Sequence, residues 1–131
     1  MPVSNVALPY LAYLFSALLM LAGFLALYTR VTRFDEWALI REGNLAAALS
    51  LGGALLGFSC TLAFAIALHA TWQAFLAWSL AAMAVQVVVY ASLARLLRGM
   101  NLAIHEGNTA MGGLMGAVSL GVGVINAACL T

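Results

Sequence analysis

Four long apolar runs alternate with polar breaks along the chain. The first covers residues 8–28 and ends at Arg30 and Arg33. No charged residue stands between Glu42 and Arg95, which leaves room for two runs, 44–69 and 70–97, with a short turn around His69, Ala70, Thr71 and Trp72. The last run opens at Asn108 and stays uncharged to the C-terminus. About 20 apolar residues cross a bilayer as an α-helix, so each run predicts one membrane span. The expected fold is all-α, an integral membrane four-helix bundle. Pro9 would sit in the first turn of the first span, where a missing N–H is tolerated. Tyr10 and Tyr13 at one end, Tyr28 at the other, and Trp72, Phe75 and Trp78 at the start of the third span read as interfacial aromatics. Between Arg30 and Glu42, Val31, Phe34, Trp37 and Ile40 recur at helical spacing among the charges. That pattern predicts a short amphipathic helix lying on the membrane surface.

The pattern also repeats. Ile40 to Ala46 reads I-x-E-G-N-x-A, and Ile104 to Ala110 reads the same, an offset of 64 (104 minus 40). At that offset Gly52 matches Gly116 and Gly57 matches Gly121. The chain divides into two two-helix units, residues 1–69 and 70–131. All the arginines (Arg30, Arg33, Arg41, Arg95 and Arg98) fall in the breaks that hold the E-G-N motifs. By the positive-inside rule both motifs face the cytoplasm and both termini lie outside. Two spans per unit then make a parallel repeat about an axis along the membrane normal.

Composition strengthens the membrane reading and removes other classes. The 131 residues are 66% hydrophobic and 7% charged, where a soluble domain carries about 25% charge. There is no lysine and no basic run, so nucleic acid is not an expected partner. The first apolar run is longer than the roughly 7–15 residues of a signal-peptide core. Cys60 and Cys129 are not repeat equivalents, and roughly 7 Å of depth separates them along their helices. They read as two small buried hydrophobes rather than a disulfide.

Glu36 to Ala48, the later Glu106 to Ala110, and the ending Ile125 to Thr131 (I-N-A-A-C-L-T) resemble the YjfL family of bacterial inner-membrane proteins. That family is built from two copies of a two-helix domain of unknown function, number three-fifty. The resemblance covers nearly the whole chain and implies a four-helix inner-membrane protein. It brings no substrate, cofactor or catalytic residue.

The residues with chemistry to offer are few. Asn44 and Asn108 precede long helices and read as N-caps, with Gly43 and Gly107 turning the chain into them. Glu42 and Glu106 beside these asparagines would form a paired polar mouth on the cytoplasmic side, near two helix N-termini. Ala48, Gly52, Gly53 and Gly57 line the second span, and Gly112, Gly113, Gly116, Gly121 and Gly123 the fourth; Gly53 with Gly57 and Gly112 with Gly116 have the small-xxx-small spacing that lets membrane helices pack closely. Gly52 and Gly116, as equivalents, should both face a tight helix contact, within or between chains. Gln86 and Asn126 are the amides placed at depth. Gln86 either bonds a neighbouring helix or, repeated across subunits, lines a wet axis. His69 and His105 lie on opposite sides of the bilayer, and no metal set or catalytic triad has workable spacing. No acid or base is expected at depth, which argues against a proton relay. The expected function is a non-enzymatic membrane subunit, without cofactor, that forms a homo-oligomer or docks a cytoplasmic protein partner. The alternative is a small oligomeric channel or transporter for an ion or small polar solute.

Overall fold

A computed structural model of the chain describes residues 4–31, 35–68, 71–97 and 99–130. Arg33, Phe34, His69, Ala70, Arg98 and Thr131, used in the sequence reading, lie outside the described residues. The elements are α1 (Ser4–Val31), α2 (Glu36–Arg41), α3 (Leu45–Leu68), α4 (Trp72–Leu96), α5 (Met100–His105) and α6 (Thr109–Cys129). Helices α1, α3, α4 and α6 are long and apolar enough to cross a bilayer. The repeat extends to the short helices: adding 64 to the bounds of α2, 36 and 41, gives those of α5, 100 and 105.

Several ends differ from expectation. Helix α1 starts at Ser4, so Pro9 lies inside it rather than in its first turn. Its ring supplies no N–H to the preceding turn. Helix α4 starts at Trp72 because Thr71 caps it, accepting from Ala74 N at 3.1 Å. The expected amphipathic surface helix is only the six residues of α2, and its buried face is Glu36 and Leu39. Trp37 points outward. Helix α5 had no counterpart in the hydrophobic pattern, since six residues show too few turns for a period to register.

The centre of the bundle is a parallel pair, α3 and α6. Ala46 lies against Gly112 near one end and Gly57 against Gly123 near the other, so the helices run the same way in near register. Helices α1 and α4 are also parallel: Tyr13 meets Phe75 edge-on at 5.5 Å, and Tyr28 meets Tyr90 at 4.7 Å. Phe24 of α1 stacks on Phe58 of α3 with centroids 4.6 Å apart. Apolar burial between helices gains little inside lipid, so close van der Waals packing carries this association. Tyr28 is not an interfacial belt residue. It is buried, its ring lies against Phe24 and Tyr90, and its hydroxyl is 3.2 Å from Ser50 Oγ.

Candidate functional site: the paired turns and the polar groups inside the bundle

Each E-G-N motif stops one helix and starts the next. Glu42 ends α2, and Gly43 follows at φ 85°, in the left-handed region where glycine carries no Cβ penalty. Gly43 N then donates to Ile40 O at 3.0 Å and Asn44 N to Leu39 O at 2.9 Å. These two bonds are the Schellman pattern that satisfies the last carbonyls of a helix. Asn44 Oδ1 next accepts from Ala47 N at 3.0 Å, capping α3. The second motif matches: Gly107 has φ 86°, Gly107 N donates to Ile104 O, Asn108 N to Ala103 O, and Asn108 Oδ1 accepts from Met111 N.

The two turns meet at one end of the bundle, unequally. Asn44 Nδ2 donates to Ile104 O at 3.0 Å and His105 O at 3.2 Å, tying the first turn to the end of α5. The Asn108 side chain is exposed and caps its own helix. Glu42 and Glu106 are both exposed at this end.

The glycines separate by face. A Cβ on Gly53 would strike the backbone of Gly116, one on Gly112 that of Ala46, and one on Gly116 that of Leu49. A Cβ on Gly57 would lie 2.6 Å from Ser119 O. Gly123 abuts Gly57. Gly52 and Gly121 face open space within the chain. The sequence equivalence of Gly52 with Gly116 therefore does not carry over to packing. Contacts across the seam fall on both sides of the repeat offset of 64 (116 minus 53 is 63, 112 minus 46 is 66), and Gly53 rather than Gly52 faces α6.

Three polar side chains at depth donate to backbone carbonyls, while Ser79 Oγ is buried with no hydrogen bond among the described residues. Gln86 is buried, and its Nε2 donates to Ala54 O of α3 at 3.0 Å and lies 3.4 Å from Ser119 O of α6. It thereby bridges the central pair from α4, and Oε1 is left buried without a hydrogen bond. Thr61 Oγ1 donates to Gly123 O at 2.9 Å across the seam. Asn126 Nδ2 donates to Ala82 O at 3.0 Å, joining α6 to α4. Cys60 and Cys129 are free thiols.

One acid escaped the sequence reading. Glu36 looks like a surface charge in a polar segment, yet it is 2% exposed. It acts electrostatically on Tyr28 and Tyr90, the second of which donates to Asn101 Oδ1 at 3.3 Å. A carboxylate, two phenols, Ser50 and Asn101 thus occupy the loop end of the interior. Such a network fixes how α1, α2, α4 and α5 meet, because polar groups held out of water are costly to misplace. The signal available was repeat position: Glu36 corresponds to Met100, which is also buried.

A four-span membrane protein whose two halves repeat in parallel about a glycine seam is the class these observations define. The chain belongs to the family described as Domain of Unknown Function (DUF350), whose model matches residues 3–130. It is 35% identical over 124 residues to the UPF0719 inner membrane protein YjfL of Escherichia coli (strain K12), covering 95% of this chain and 94% of that one. It is 28% identical over 119 residues to the UPF0719 transmembrane protein YshE of Bacillus subtilis (strain 168), 89% of each. No solved structure matches the chain.

Proposed function

We propose that the protein is a non-catalytic subunit of the inner membrane that assembles with copies of itself. In this reading the E-G-N turns face the cytoplasm, both termini lie outside, and the exposed Glu42 and Glu106 offer a docking edge to a protein partner. The observation that carries the proposal is how the interior is filled. The central helices touch backbone to backbone along Gly53, Gly57, Gly112, Gly116 and Gly123. Among the polar side chains reaching that interior, Gln86, Asn126 and Thr61 bond carbonyls of neighbouring helices. A bundle built this way favours rigidity over passage. Gln86 in particular is engaged with the chain's own carbonyls, which supports a packing role over the lining of an axis shared between subunits.

Copy number and permeability test the reading together. Purified protein in mild detergent, weighed by native mass spectrometry, should be a defined multimer. Proteoliposomes holding it should pass ions no faster than empty vesicles under an imposed gradient. Monomer at every concentration would remove the self-assembling subunit, and reproducible flux would replace it with the channel.

A further inference from the structure

The internal repeat is broken in one place. On α3, Ser50, Ala54 and Phe58 form one flank, and all three are buried. They lie under Tyr28 and Phe24 of α1 and Gln86 of α4. The same flank of α6, 64 residues on, is Leu114, Val118 and Val122. Leu114 is 50% exposed, and neither valine is buried. A matching vacancy lies on α1. The buried residues of α4 are Phe75, Ser79, Ala82, Met83, Gln86 and Tyr90. Their counterparts on α1 are Leu11, Phe15, Leu18, Leu19, Ala22 and Ala26, and every one is exposed.

Lipid covers any apolar face, so exposure alone decides nothing. The repeat decides more. The α3 flank and the α4 face meet inside the chain, with Gln86 Nε2 on Ala54 O at 3.0 Å. Their counterparts, Ala22 of α1 and Val118 of α6, belong to helices that make at most marginal contact with one another. At Gly57 the missing Cβ leaves room for Gln86, whose Nε2 lies 3.2 Å from where that atom would be. Gly121 holds the same place on α6, and nothing within the chain comes within 4 Å of its absent Cβ. The open flank also borders the buried Met115, Ser119 and Gly123 of the central seam, so a helix laid on it continues an existing interface.

We propose that a second copy of this chain fills the gap, laying the Leu11-to-Ala26 face of its α1 on the Leu114, Val118 and Val122 flank of α6. The contact reproduces between chains the one that α4 and α3 make within a chain. It rests on the self-assembling reading above and names the surfaces. Because the halves are parallel, Ala22 and Val118 sit within about one helical turn of the depths of Gln86 and Ala54. Two copies inserted the same way therefore meet at matching depth to within that turn.

Cysteine crosslinking in native membranes tests it. In a C60A/C129A background, Ala22→Cys combined with Val118→Cys should give a covalent dimer with a short bismaleimide. Leu80→Cys combined with Val88→Cys, both exposed on α4, should stay monomeric. Adding Gly121→Leu should reduce the Ala22–Val118 crosslink at least tenfold and leave the melting of the monomer unchanged, since among the described residues no neighbouring helix comes within 4 Å of where its Cβ would be. Multimers in mild detergent with no Ala22–Val118 crosslink would overturn the docking surface and leave self-assembly standing. Monomer throughout would remove both.

Discussion

At the residue scale, the two asparagines of the E-G-N motifs show how identical sequence acquires unequal weight. Both cap a long helix, but Asn44 also holds Ile104 O and His105 O. Loss of an N-cap costs about 1 kcal/mol, and each neutral hydrogen bond adds about 1 kcal/mol. Asn44→Ala should therefore destabilise by roughly 2–3 kcal/mol, by the same two principles, and Asn108→Ala by about 1 kcal/mol. Unfolding in mixed SDS–detergent micelles measures the difference, and equal losses would show that the link between the turns contributes nothing. Gln86 makes a second case. Interhelical hydrogen bonds in membranes average about 0.6 kcal/mol, so Gln86→Leu should cost about 1 kcal/mol or less. Removing the unbonded Oε1 offsets part of that loss. A loss several times larger in the same assay would mean the amide organises more than its two carbonyls.

At the element scale, the seam between α3 and α6 sorts glycines by face. A Cβ at Gly53 meets backbone that cannot swing aside, whereas one at Gly52 meets nothing. Overpacking of this kind costs about 1–3 kcal/mol, while Gly→Ala in an open helical position gains up to about 1 kcal/mol. Gly53→Ala should thus lower the unfolding midpoint and Gly52→Ala should hold or raise it. The reverse order would place the seam on the other face of α3. Sequence spacing had marked both glycines, because small-xxx-small patterns identify a helix that packs closely without fixing which of two adjacent residues looks inward. The rotation of each helix about its own axis settles that, and spacing along the sequence does not contain it. The spans themselves were legible from their lengths and from the charge-free interval between Glu42 and Arg95. The capping role of Asn44 and Asn108 was legible too, since Gly-Asn before an apolar run has few other uses. Glu36 and Tyr28 were not: each sits at the end of a span, where burial depends on neighbours from helices distant in sequence.

At the scale of the whole molecule, the parallel arrangement constrains topology. Asn44 reaches the end of α5, so both E-G-N turns stand at one end of the bundle. On the proposed orientation, which follows the positive-inside rule, the arginines of the flanking segments would put that end in the cytoplasm. Cysteines introduced at Glu42 and at Glu106, in a C60A/C129A background, should react with a membrane-impermeant maleimide only after the cytoplasmic face is opened. A cysteine introduced at Val6, at the far end of α1, should react from outside in intact cells. Labelling of Glu42→Cys in intact cells would invert the orientation. Labelling of Glu42→Cys and Glu106→Cys from opposite sides would break the parallel repeat itself.

The central seam also sets a schedule. Thr61 and Gly123 are bonded across it at a separation of 62 residues. At roughly 5–20 residues per second, α3 leaves the ribosome about 3–12 s before its partner exists. During that interval its glycine face must be held by lipid, by the insertion machinery or by another nascent chain. A Thr61→Cys thiol in a C60A/C129A background, in chains arrested before α6, should then react with a lipid-soluble maleimide and become protected once α6 is released, whereas equal reactivity in both would mean that the seam does not wait for its second half. The last 21 residues to form a helix are in this sense the latch, and any truncation that removes them leaves an assembly with its centre unmade.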